Sequence, residues 1–486
     1  MMIDKNKLIK LLEPHFEKDL AQDSYEVKTI KSVKLLTCTR FDIAFKLLYL
    51  EMKDKNLMFA TKFYKEHIRA FSLGKFTEPG SEEKNSIEKF FKDFDKTFED
   101  IKVNGFDGSK TLIPLSKNDS MANGAHRVAS AIYLDKDVKC VEIDTGDHIY
   151  DYKFFYSRNV SSSILDVVAT KFVEYADNLH IAFIWPTAKG HDEKIEKIIP
   201  NIVYRKNVSL NPNGAHNLLS QIYYGEEWLG GVGDNFRGSQ GKLVECFKSF
   251  EAVRVVAFQA ESLDEVLTIK DKIRDVFNIG KHSIHITDTK EEAVRVARVV
   301  FSDNSIHFLN YAKPNQYIST HRKIDIFKQF VEKNKINLND VVLDSGIVLS
   351  IYGLRECSDI DYFVDDNDKL KYNDEELEYH DEEKIEMIFN PKYYFYFNDI
   401  KFISFNQVYR MKKNRAEEKD VNDCKIMEAL IEDNTFKKVL NQWKQGFLYM
   451  KIKSRANIIK IMKSIGIYKI AKNIYKKNRS IKGVER

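Results

Sequence analysis

Apolar residues in the first hundred positions recur every three or four places. LIKLLEPHF, FDIAFKLLYLEMKDKNLMFATKFYKEHIRAF and SIEKFFKDFDKTFEDI all keep this spacing, which is the period of an amphipathic helix. Residues 1–100 therefore read mostly as helices. The pattern then shortens: TLIPL (111–115) and VKCVEID (138–144) read as strands around the polar turn SKNDS and a helical stretch. From about 151 to 310, strands and helices alternate. IAFIW, IVYRKNVSL, VRVVAFQA, HSIHI and SIHFLN read as strands; HDEKIEKII, SLDEVLTIKDKIRDVF and KEEAVRVARVVF read as helices. Such alternation predicts an α/β layer with a mostly parallel sheet. Beyond 319 a helix (RKIDIFKQFVEK) leads into VVLDSGIVLSIYGLRECSDIDYFV. An acidic stretch (365–384), the aromatic strands YYFYF and IKFISF, and helices from Gln407 onward follow.

Composition sets the scale. At 486 residues the chain exceeds one hydrophobic core, and domains of about 100–200 residues predict two to four of them. Apolar residues make up 43%, enough for packed domains, and the 8 prolines leave no long Pro-rich linker. The expected class is multidomain α/β and α+β, divided at 1–150, 151–318, 319–436 and 437–486. No run reaches the roughly 18 apolar residues of a membrane span, and the charged start MMIDKNKLIK does not read as a secretory signal. Five scattered cysteines, never spaced CxxC, argue against a disulfide framework or zinc knuckle and for a reducing, cytoplasmic setting.

Charge is unevenly placed. Lys444–Arg486 holds 13 Lys or Arg and one acidic residue, Glu485, a net +12. With a total of +4, the rest of the chain carries −8. Lysines interleaved with Ile458, Ile461, Ile465, Tyr468 and Ile474 favour an anionic membrane surface as partner of this tail. No stacking platform or known motif favours nucleic acid.

Residues 121–134, MANGAHRVASAIYL, are echoed by 211–224, NPNGAHNLLSQIYY. In the first, a strand and a polar turn run into a helix at Gly124. Glycine admits close approach, the first-turn amides attract anions, and His126 and Arg127 add donors. The stretch reads as a phosphate cradle. Asn123, Gly124, His126 and Arg127 resemble the turn of the ParB/sulfiredoxin-like fold, over about 105–145, and that resemblance implies nucleotide-phosphate binding. No basic recognition helix follows, so the DNA role of ParB is not implied. The second stretch keeps Gly214 and His216 but has Asn217 in place of the arginine.

In KHSIHITDTKEEAV (281–294), His282 and His285 fall on opposite faces of a strand, and Asp288 fits a helix N-cap with Glu291 three residues on. His285 at the end of a parallel strand would lie where open α/β sheets bind ligands. His191, His216 and Lys281 take equivalent places if the sheet is continuous. Such a cluster suits phosphate binding or acid–base work.

The sharpest signal is DSG…SDIDYF. Ser345 and Gly346 open a helix after an apolar strand, and Asp359 and Asp361 sit two apart on another, on one face. Paired carboxylates hold Mg²⁺ against nucleotide phosphates. These residues resemble the nucleotidyltransferase fold, with its Gly-Ser turn and Asp-x-Asp, and more narrowly the branch of the LicD phosphocholine transferases, over about 320–425. The resemblance implies Ser345 and Gly346 at the donor phosphates, Asp359 and Asp361 at Mg²⁺ or Mn²⁺, and Arg355 toward a donor phosphate. Here the order is Ser-Gly, and Asp399 is the candidate third carboxylate. KKNRAEEKDVNDC (412–424) resembles the helical continuation of such domains; a salt-bridged solvent face explains it equally well.

Together these point to a membrane-peripheral transferase of bacterial surface-polysaccharide synthesis. It would move a phosphorus-containing group from a nucleotide-activated donor to a glycan hydroxyl. Two other readings stand beside it: a kinase-type enzyme working through the first two regions, and a nucleotide-responsive binding protein with a basic arm.

Overall fold

A computed structural model of the protein describes residues 1–78, 85–365, 374–432, 443, 454 and 457–468. Twelve strands among them form three four-stranded sheets, each built from consecutive strands, in a mixed α/β chain. The first sheet holds β1 (Met2–Asp4), β2 (Ser24–Lys31), β3 (Ile113–Leu115) and β4 (Asp137–Glu142) in the order β1-β2-β4-β3. Only β3 and β4 run parallel. The opening residues are thus less helical than their spacing suggests. Pro14 starts a short 3₁₀ turn, and Leu8, Leu12, Phe16 and Leu20 pack on Tyr25, Val141 and Ile143 of the sheet. The helices Asp42–Met52, Leu57–Phe71 and Ile87–Asn104 lie where the three-four spacing put them.

The second sheet holds β5 (Leu179–Ile184), β6 (Ile202–Val208), β7 (Val253–Gln259) and β8 (Ile284–Ile286), ordered β6-β7-β5-β8. Every neighbouring pair is antiparallel, which corrects the parallel sheet read from alternation. β5 and β6 do run the same way around the helix Asp192–Ile198, as do β7 and β8 around Leu263–Phe277, but a strand of the other unit lies between each pair. The result is two interleaved, split βαβ units. SIHFLN is a helix, Asp303–Tyr311, not a strand. Ser302 caps it, and the buried positions Ser305, Phe308, Leu309 and Ala312 keep helical spacing.

The third sheet holds β9 (Val341–Asp344), β10 (Asp361–Val364), β11 (Tyr394–Phe397) and β12 (Ile400–Ile403), ordered β10-β9-β12-β11. β9 and β12 are parallel, and the outer pairs are antiparallel. Asn398 and Asp399, with φ of 50° and 60°, make the tight β11–β12 turn.

One apolar cluster runs from Leu35 to Leu430 and reaches all three sheets; a second lies under the other face of the middle sheet. Ile181 and Phe183 belong to the first and Ala182 and Ile184 to the second, the two-residue alternation of a strand covered on both faces. No helix among the described residues is long and apolar enough to cross a membrane. Of the basic tail, 454 and 457–468 are described, with Ile458, Ile461 and Ile465 exposed; Ile474 lies outside the described residues.

Candidate functional site

β9 ends on Asp344, and β10 begins beside it, with Asp361 opposite Asp344 in the register. Residues directly opposed on antiparallel strands share a face, so two carboxylates meet at this end of the sheet. The Asp344 side chain is buried. His380 Nε2 donates to its Oδ2 at 2.9 Å, while Oδ1 is buried without a hydrogen-bond partner. Phe363 holds the His380 ring edge-on, with centroids 5.6 Å apart. Asp359 lies in the bend before β10, not on the strand, exposed, and accepts a hydrogen bond from Ser358 Oγ at 2.9 Å. Burial, and then the charges of Glu376, Asp359 and Asp344, push the Asp361 carboxyl up to about 7 against the pull of Lys412.

The chain leaves Asp344 through Ser345, at φ 58° and ψ −120°, before the helix Gly346–Ile351. A non-glycine residue there stores about 1–3 kcal/mol of strain, and it directly follows Asp344.

Behind them stands an ion network on the helices Phe405–Arg415 and Glu418–Ile431. Lys412 reaches Asp420 at 3.1 Å and Asp423 at 3.0 Å, and Arg415 pairs with Asp420 and Glu376. Lys412, Asp420 and Asp423 are buried, while Lys413, Asn414, Glu417, Glu418 and Val421 are exposed, so 412–424 has a solvated face and turns its strongest ion pairs inward. Arg355 forks onto Asp423 at 2.7 and 2.9 Å. It stays close to the turn, since a Cβ on Gly346 would stand 3.7 Å from its guanidinium nitrogens, but its charge goes to Asp423. Among the described residues no Lys or Arg forms an ion pair with Asp344, Asp359 or Asp361; the local cations are committed to Asp420, Asp423 and Glu376.

This surplus of negative charge, with a buried carboxylate oxygen lacking a partner, fits a divalent cation. Among the described residues no three His, Cys, Asp or Glu side chains are grouped to enclose a metal. Mg²⁺ suits such a place, because it is commonly held by one or two carboxylates with water and substrate phosphates completing its shell. Asp399 is not the third carboxylate. Lys401 and Phe402 pair with Val342 and Leu343, which puts the turn at Asp399 at the start of β9, opposite Asp344. Asp344 and His380 are the members that sequence reasoning passed over; the signal for Asp344 was its place directly before Ser345-Gly346.

The other candidates do not join this site. Gly124, at φ 97°, admits the helix Ala125–Tyr133, and a Cβ there would meet Ile113 Cδ1 at 2.6 Å. His126 shares a 2.7 Å hydrogen bond with the Tyr64 hydroxyl. Arg127, read as a phosphate clamp, pairs with Glu13 at 2.9 Å and bonds Thr111 Oγ1. In the echo, Asn217 Nδ2 donates to the carbonyls of Leu309 and Ala312 at 2.8 and 2.9 Å, closing the end of the helix Asp303–Tyr311. A Cβ on Gly214 would stand 2.2 Å from Asn310 Oδ1. The second Gly-Ala-His entrance is thus a helix-docking joint.

His216 bonds the Asn235 carbonyl at 3.1 Å, and His191 caps the helix Asp192–Ile198 with its ring edge-on to Phe277. His285 lies on an antiparallel strand, 3.1 Å from Glu292 and edge-on to Tyr223. Lys281 and His282 are in the turn before that strand, so His282 is not on it. Thr289, not Asp288, caps the helix Lys290–Val300; Asp288 pairs with Lys270 at 2.6 Å. Compared with protein-family models, curated proteins and solved structures, the chain matches none.

Proposed function

We propose that the chain is a metal-assisted transferase, moving a phosphorus-containing group from a nucleotide-activated donor to a glycan hydroxyl. One observation supports it: Asp344 and Asp361 face each other across adjacent strands with no Lys or Arg paired to them among the described residues. A divalent ion, Mg²⁺ or Mn²⁺, would rest on these two carboxylates and supply positive charge for the donor phosphates. His380 holds Asp344 Oδ2 and leaves Oδ1 for that ion, the way ligating carboxylates are commonly oriented by a second hydrogen bond. Ser345 and Gly346 border the donor phosphates, and Asp359, exposed at the rim, takes the acceptor hydroxyl's proton. The LicD-like spacing of Ser345-Gly346 and Asp359-x-Asp361 supports a role in cell-surface polysaccharide synthesis, and the basic tail would then rest on the anionic inner face of the membrane.

The test is calorimetry of Mg²⁺-dependent nucleotide binding, paired with transfer assays on purified glycan. Asp344→Asn and Asp361→Asn should each lower Mg²⁺-dependent affinity at least tenfold and abolish transfer. Binding and transfer that survive both substitutions would sink the assignment.

A further inference from the structure

A second cavity lies away from the carboxylates, where the helices Asp42–Met52, Ser162–Tyr175 and Lys290–Val300 meet β11 and β12. It is separate from the first site along β9: Asn339, just before that strand, lines it, and Asp344 is at the far end. Its volume is about 100 Å³, room for a few waters at about 30 Å³ each. Exposed Asn339 and half-buried Lys55 and Glu51 mark its mouth, while Phe59, Phe389 and Tyr394 give it apolar walls.

The charges of this wall do not balance. Lys171 is met by Glu51 at 2.8 Å and Glu174 at 2.5 Å, Arg298 by Glu174 at 2.8 Å, and Lys55 by Asp340 at 2.7 Å. Lys401 has no such partner among the described residues. It is 2% exposed, and its ammonium donates to the main-chain carbonyls of Asn339 and Ile388. The rings of Tyr394 and Phe389 lie 4.9 and 5.3 Å from it. A buried ammonium without a counter-charge is costly. It is relieved by losing its proton or by receiving an anion. Burial, followed by repulsion from Lys55, Arg298 and Lys171 against the single attraction of Asp340, brings the amine down to about 7, so its proton is loosely held near neutrality.

We propose that this cavity binds a small oxyanion-bearing metabolite, a phosphate ester or a carboxylate. Lys401 meets its charge, with Lys55 at the entrance, and its body rests on Tyr394 and Phe389. A molecule seated there touches segments from all three sheet regions, so its binding tightens the junction between them. The inference does not rest on the transferase reading.

Thermal unfolding and calorimetry of the full chain test it, in EDTA so that metal-dependent binding at the carboxylates is silent. The probes are inorganic phosphate and acetate, with chloride at matched ionic strength as control. Phosphate or acetate should raise the melting temperature saturably, and whichever acts at lower concentration identifies the source of the oxyanion. Binding at pH 7.5 should take up a fraction of a proton as Lys401 regains its charge, seen by comparing buffers of different ionisation enthalpy. Lys401→Met should lose at least tenfold in affinity. Val167→Phe, which fills the cavity and leaves its charges, should do the same and decides the matter alone if Lys401→Met does not fold. Asp361→Asn should bind the anion as the wild type does. The proposal is overturned if neither probe exceeds chloride, or if a folded Lys401→Met or Val167→Phe keeps the wild-type response.

Discussion

Two buried charge clusters, one in each half of the chain, are settled in opposite ways. In the N-terminal half, Arg40 forks onto Asp42 at 2.8 and 2.9 Å and donates to the Met121 carbonyl, while Lys46 reaches Asp42 at 3.0 Å and His67 at 3.1 Å. Although burial opposes it, Arg40 and Lys46 hold the Asp42 carboxyl far below the usual range, and burial with Lys46 drives the His67 imidazole well down. Both cations there are paired with the one carboxylate. In the C-terminal half, Asp344, Asp359 and Asp361 crowd together while the nearby cations answer other acids. The first arrangement is that of a scaffold; in the second, no Lys or Arg among the described residues is paired with the three carboxylates, and Asp361 is pushed toward its protonated form.

The largest expected effect tests the paired side. Asp42→Ala leaves two buried cations without a partner and should cost about 3–5 kcal/mol, read from urea unfolding at pH 7. Nucleotide binding by the fraction still folded should be intact. A loss under 1 kcal/mol would mean that the cluster does not hold this half together.

On the unbalanced side the sign reverses. A carboxyl raised from 3.8 to about 7 in the folded state contributes stability fully below pH 3.8, and that contribution is lost as pH rises through 7. Asp361→Asn should therefore be more stable than the wild type at pH 8 without metal, by about 1–2 kcal/mol. It should also show a flatter pH profile between 4 and 8. Mg²⁺ must compete with the same proton, so wild-type affinity should climb between pH 6 and 7 and level off above. Equal Mg²⁺ affinity at pH 6 and 8 would remove Asp361 from the ion's surroundings.

The two Gly-Ala-His helices sharpen the contrast at lower energy. Asn217→Ala removes one of the two side-chain donors to the carbonyls of Leu309 and Ala312, leaving Asn213 Nδ2 on both, and should cost about 0.5–1.5 kcal/mol. Arg127→Gln, at a partly exposed pair, should cost about 1 kcal/mol or less and leave phosphate affinity unchanged. A selective loss of phosphate binding in Arg127→Gln would restore the cradle that its sequence suggests.

What was legible follows from what is local. Helix spacing, the strand before Ser345 and the Asp-x-Asp are set by neighbours in sequence. Asp344 meets Asp361 only through strand register, and His380 comes from beyond an acidic stretch. Arg127 finds Glu13 across 114 residues, so its commitment had no trace in NGAHR. The middle sheet was misread for a related reason: alternation tells that a helix separates two strands, not which strand lies between them. The Lys401 cavity needs walls from segments far apart in the chain, and no short motif announces it.

The interleaving also sets a timetable for synthesis. β5 ends at Ile184, and its outer neighbour β8 begins only at Ile284. Until the ribosome has delivered those hundred residues, one flank of β5 offers unpaired amides and carbonyls to any passing strand. At about 5–20 residues per second this lasts roughly 5–20 s. Nascent chains stalled or truncated before 284 should therefore aggregate or recruit chaperones, and chains released after β8 should not.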